Sequence, residues 1–171
     1  FNSDISKWDV SRVNDMRALF KTAESFKGDI SKWDVSSATT MYEMFNNAKE
    51  FTGDLSKWVV SQVTNMRSMF NGALSFDGDI SKWEVSSVKS MTNMFTNTKK
   101  FKQDISKWDL SKVTEMISMF RFATLFNADL SSWDVSQVAI MHSLFSEAKA
   151  FNKDISKWVV SKVTDMTSMF S

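Results

Sequence analysis

The 171-residue chain contains no cysteine, no proline, four glycines and one histidine, His142. Without cysteine there is no disulfide framework, no thiolate zinc site and no cysteine nucleophile. A lone histidine excludes a multi-histidine metal centre. Neither sign of charge is in excess: 21 Lys+Arg against 20 Asp+Glu leave a net charge of +1, which argues against a dedicated nucleic-acid binder. No apolar run approaches the ~20 residues that span a bilayer, so membrane insertion by this segment is not expected. The chain shows no signal peptide and no Asn-x-Ser/Thr sequon. No cofactor and no metal are expected.

What the chain does have is aromatic and periodic. It carries 15 Phe, 12 Met and 7 Trp. Phe1, Phe26, Phe51, Phe76, Phe101, Phe126 and Phe151 recur every 25 residues, and Trp8, Trp33, Trp58, Trp83, Trp108, Trp133 and Trp158 keep the same period. The consensus F-x-x-D-[IL]-S-x-W-x-[VL]-S-x-[VA]-x-x-M-x-x-[ML]-F-x-x-[AT]-x-x runs through seven copies that start at residues 1, 26, 51, 76, 101, 126 and 151. There is no insertion or linker between them, so residues 1–171 read as a single solenoid domain. The last copy stops at Ser171, four positions short, and the chain reads as a segment of a longer array.

Within a copy, Ile5, Trp8 and Val10 suggest a short strand, since Trp8 and Val10 are two residues apart. Val13, Met16, Leu19, Phe20 and Ala23 follow at i, i+3, i+6, i+7 and i+10, which suggests one face of a helix of roughly 8–10 residues with Ser11 as its N-cap. Stacked copies would then pair their strands in parallel about 4.8 Å apart and bury the Trp column as a continuous aromatic stack. Methionine at positions 16 and 19 suits the irregular gaps of a narrow coil.

The pattern I-x-x-W-x-V-S-x-V is similar to the leucine-rich-repeat signature, with Trp8 in place of one leucine. The fuller motif D-I-S-K-W-D-V-S-x-V-x-x-M-x-x-M-F resembles the BspA-like branch of that superfamily, the 25-residue repeats of surface proteins and lipoproteins. The resemblance covers the whole chain. It implies an α/β repeat fold: a leucine-rich-repeat-type right-handed solenoid of seven coils, each a short parallel strand plus a short helical segment. It also implies an extracellular or cell-surface setting and a non-enzymatic role in adhesion to protein or glycan partners. Catalytic residues are not implied. A structural spacer or building block of an extracellular appendage is the alternative reading. Ala38, Thr98, Leu110 and Ser132 depart locally from the repeat.

In a solenoid, function is written in columns. The unbroken column Asp4, Asp29, Asp54, Asp79, Asp104, Asp129 and Asp154 could be a ladder of cation sites, but the favoured reading is an Asx-turn to the Ser two residues on. Lys7, Lys32, Lys57, Lys82, Lys107 and Lys157 form an exposed charge ladder, expected to pair with the acids at position 9: Asp9, Asp34, Glu84, Asp109 and Asp134. Ile117, Phe122, Leu125 and Ile140 replace residues that are polar in other copies, and His142 shares the column of Ile117. These five are the candidate partner contact, either with another molecule or with the parent protein itself. His142, Ser143 and Asp134 superficially invite a triad, but adjacent residues on a helix point apart. Threonine at position 14 suggests an ice-binding array, which Asn14, Lys89 and Ala139 interrupt.

Overall fold

A chain whose apolar pattern returns every 25 residues can pair each copy with the next at equivalent positions. The computed structural model describes residues 1–171 and shows that it does. The Met16 N–H donates to the Thr40 carbonyl (3.1 Å), Ala18 to Tyr42 (2.9 Å), Phe20 to Met44 (2.8 Å) and Thr22 to Asn46 (2.7 Å). The same four bonds recur down the stack, as in Phe70 to Met94 (2.9 Å) and Phe120 to Leu144 (3.0 Å). The N–H of position 16 and the carbonyl of position 15 belong to one peptide unit. Such a unit accepts from the coil before and donates to the coil after, so its dipole lies along the stack. At position 14 the direction reverses, with the Thr39 N–H donating to the Asn14 carbonyl at 2.8 Å. The junction is a parallel bridge one residue long, repeated from Asp15↔Thr40 to Ile140↔Asp165.

This overturns the expected secondary structure. The chain has no helix, no sheet and no strand beyond these single-residue bridges. It is not an α/β solenoid of leucine-rich-repeat type. The reason lies in two backbone positions. Position 18 has positive φ in every coil (Ala18 54°, Glu43 56°, Ser68 54°, Asn93 57°, Ser118 53°, Ser143 53°, Ser168 56°). Position 22 does too, at Thr22, Asn47, Gly72, Asn97, Phe122 and Glu147. A left-handed residue every four positions breaks an α-helix and turns its N–H along the stack. Intervening N–H groups close tight turns instead, such as Lys21 to Ala18 (3.1 Å) and Ala23 to Phe20 (3.0 Å). A helix of 8–10 residues is marginal by itself, whereas this backbone gives each axial N–H a partner in the next coil. The i, i+3, i+7 apolar spacing is satisfied equally well by a chain that turns every three residues. Ser11 is therefore not an N-cap.

The expected strand over positions 5–10 is likewise a pair of turns. The Trp8 N–H donates to the Ile5 carbonyl (3.0 Å) and the Val13 N–H to the Val10 carbonyl (2.9 Å). Parallel pairing falls at position 15 instead.

The core is one cluster of 50 buried residues. Its continuous stack is built by phenylalanine rather than tryptophan. Rings at position 1 stack on their equivalents at about one coil's spacing (Phe51–Phe76, 6.0 Å), as do those at position 20 (Phe70–Phe95, 5.7 Å). The two columns lie face to face, as in Phe70–Phe76 at 4.0 Å. Tryptophan packs tilted against the position-20 rings, for example Trp108 on Phe95 at 6.2 Å and 32°. Its indole N–H reaches back to position 5 of the preceding coil, from Trp33 to the Ile5 carbonyl (3.1 Å) through to Trp158 to Leu130 (2.9 Å). Only Trp8, with no preceding coil in this chain, is largely exposed (58%). Thr98, in place of the usual alanine, is buried and donates its hydroxyl to the Phe70 carbonyl at 2.8 Å.

Candidate functional site

The position-4 aspartates are turn residues. Each accepts the backbone N–H of the serine two residues on, as in Ser6 to Asp4 and Ser81 to Asp79, both 2.9 Å. These serines hold all seven carboxyls below their ordinary value of 3.8. The backbone N–H is the larger cause at Asp4, Asp104, Asp129 and Asp154, and the serine hydroxyl at Asp29, Asp54 and Asp79. No group of three or more His, Asp or Glu side chains is placed to hold a metal ion.

A carboxyl whose pKa is depressed in the folded state stabilises fully above its unfolded value, and that stabilisation is lost as pH falls through the folded value. Thermal melts should therefore give a constant Tm above about pH 5 and a falling one from there towards about pH 2. Asp79→Asn with Asp104→Asn keeps a turn-forming acceptor but removes two titrating groups. Its acid limb should be shallower because its Tm is lower near neutrality and meets that of the wild-type chain at low pH. An unchanged acid limb would show that these turns do not couple to folding.

The lysine ladder is placed as expected and partnered differently. Lys7, Lys32, Lys57, Lys82, Lys107 and Lys157 are all exposed, yet none makes an ion pair with position 9. The position-9 aspartates form a second series of Asx-turns, as in Ser11 to Asp9 and Ser36 to Asp34, both 3.0 Å. Lys32, Lys57, Lys82, Lys107 and Lys157 act instead on the position-4 column. Lys82, for instance, adds a lesser lowering at Asp79 after the Ser81 hydrogen bonds. The ion pairs that do form use other positions: some link neighbouring coils, such as Lys21–Glu43 (2.6 Å) and Lys49–Glu24 (2.7 Å), and others stay within one coil, such as Lys27–Glu50 (2.9 Å).

The candidate partner contact falls into two parts. Ile117 and His142 occupy position 17 of adjacent coils, with Ile140 two positions earlier in the coil of His142; all three are half-buried beside the ladder. Phe122 and Leu125 lie beyond the buried positions 18–20 and are exposed at 37% and 52%. Phe122 lines a shallow depression of about 580 Å³ that crosses several coils, and none of the other four candidates lines it. Its neighbours there include Asn97, Lys99, Glu147 and Lys149, which sequence reasoning missed. Counting 25 residues either way from Phe122 gives Asn97 and Glu147, and that offset was the available signal. The superficial triad does not assemble: the Asp134 carboxylate is engaged by the Ser136 N–H at 3.0 Å, and Ser143 is a buried left-handed residue of the ladder.

One family is similar to this chain. The family described as Mycoplasma protein of unknown function, DUF285, matches residues 1–105 and again residues 75–171. No curated protein matches the sequence.

Proposed function

Since the chain belongs to the DUF285 family and is a repeat protein, we propose that it is a non-enzymatic interaction module that displays side-chain columns to a protein or glycan partner. One observation carries this reading: the aromatic and methionine core positions are the same in every coil, whereas the side chains at positions 17 and 22 change from coil to coil. Positions 1, 8, 16 and 20 hold Phe, Trp, Met and Phe in every copy. Position 17 passes from Arg17 through Tyr42, Arg67, Thr92 and Ile117 to His142, and position 22 from Thr22 and Asn47 to Phe122 and Glu147. An invariant core and backbone ladder let the outer surface change coil by coil without loss of fold, the logic of repeat scaffolds that bind partners along extended faces.

The motif D-I-S-K-W-D-V-S supports kinship with the BspA-like surface repeats, and with it an extracellular or cell-surface setting. A second reading, a spacer or building block of an appendage, is favoured by the unbroken axial ladder, which makes the stack a stiff rod.

Immobilised chain should bind some member of a panel of matrix proteins and arrayed glycans. Exchanging the residues at positions 17, 22 and 25 for those of other coils should abolish that binding while the melt stays unchanged. A chain that binds nothing on the panel, yet resists bending under force, would favour the spacer.

A further inference from the structure

We infer that the depression around Phe122 is a binding site for an acidic oligosaccharide, with the phenyl ring as platform and flanking lysines as anion anchors. The inference rests on the interaction-module reading and names a ligand class for one of its surfaces.

Of the 15 phenylalanines, those at positions 1 and 20 make up the two stacked core columns, and Phe122 alone lies outside them. It occupies a left-handed position (φ 59°) that the other coils fill with Thr22, Asn47, Gly72, Asn97 and Glu147. A bulky aromatic is disfavoured there, and strain of this kind concentrates where a residue works on a ligand. Burial does not offset it. The ring is 37% exposed and stacks on no other ring. What holds it is the Arg121 guanidinium, whose central carbon lies 4.8 Å from the ring centroid.

The surroundings supply the rest of the chemistry. Asn97 and Glu147 stand at the same position in the coils before and after, so the ring is flanked by an amide and a carboxylate. Together they offer donors and acceptors for hydroxyl groups. Lys99 and Lys149 line the same depression. Glu147 is the one acid among them and lies 3.7 Å from Lys149, while Lys99 and Arg121 have no ion-pair partner. A hexose lays its C–H face on the negative face of a phenyl ring, directs its hydroxyls to amide and carboxylate, and presents a carboxylate or sulfate to the ammonium groups. The surplus of cations favours an acidic sugar over a neutral one. A single-stranded nucleic acid calls for a series of stacking rings along a basic groove, and here there is one ring on a chain of net charge +1.

The test uses the 171-residue chain and calorimetric titration with hyaluronan hexasaccharide, its carboxyl-reduced counterpart, a chondroitin sulfate hexasaccharide, an oligothymidylate and a polyglutamate peptide. The acidic sugars should bind, and the two together distinguish carboxylate from sulfate as the anchored group. Carboxyl reduction should weaken binding at least tenfold. Phe122→Asn restores a residue that coils 2 and 4 carry there. It should weaken binding at least tenfold while leaving the melt unchanged or raising it, an outcome that a structural role for the ring does not give. Lys99→Gln with Lys149→Gln should weaken binding and flatten its salt dependence. Unchanged affinity in Phe122→Asn would overturn the inference, as would equal binding of the oligothymidylate or the peptide, or no binding of either acidic sugar. Failure here with continued binding to another partner, sensitive to position-17 exchanges, would leave the interaction-module reading standing. Failure of both would remove that reading as well.

Discussion

Replacing Phe95 with alanine should destabilise the chain by about 3–5 kcal/mol, read as a lowered midpoint in urea denaturation. The ring sits between Phe70 and Phe120, each at 5.7 Å, lies 4.2 Å from Phe101, and carries Trp108 at 6.2 Å. It is fully buried. Truncation opens a cavity in the middle of the phenylalanine columns, and a coil held only by its neighbours cannot close it without moving them. The unfolding transition should also broaden or split, because the coils on either side become independent units. Phe122→Ala is the control. It removes the same side chain from an exposed site and should cost less than about 1 kcal/mol. Equal losses at the two positions would mean that the phenylalanine columns are not what holds the stack together.

The second large effect tests the backbone itself. Asn93 has φ 57°, and its N–H donates to the Ile117 carbonyl at 2.8 Å. Proline fixes φ near −65° and has no N–H, so Asn93→Pro should lose about 3 kcal/mol or more. Asn93→Gly, which suits a left-handed position, should stay within about 1 kcal/mol of wild type. Asn93→Ala separates the two descriptions of this segment. In a helix, alanine would be favourable relative to asparagine; in the ladder it places a Cβ where a left-handed backbone resists one and should destabilise. A stabilised Asn93→Ala chain, measured by the same urea titration, would restore the helix and refute the ladder.

Phe122 was legible as a residue out of pattern, and the six position-7 lysines lie on the surface. Two relations were not legible. Position-9 acids beside position-7 lysines look paired when written in a line, yet each Asp9-type carboxylate finds its own Ser N–H two residues on. A local turn closes at less entropic cost than a pairing of two long exposed side chains. The five apolar outliers look like one cluster, yet the buried stretch at positions 18–20 stands between Ile117 and Phe122.

By itself the sequence determined the 25-residue period and the register that follows from it. It determined which side chains face inward, because apolar burial needs only their spacing and that spacing is the same in helix and ladder. It determined the position-4 Asx-turns, because donor and acceptor lie two residues apart in the chain. The backbone conformation was decided only by the tertiary structure. Whether an N–H at position 18 closes a helix or points along the stack depends on a carbonyl in another coil, 24 residues on. Asn and Gly tolerate a left-handed backbone, but Ala18, Thr22, Glu43, Phe122, Glu147 and the serines at position 18 have no such preference. They adopt positive φ because the neighbouring coils' hydrogen bonds outweigh their local cost.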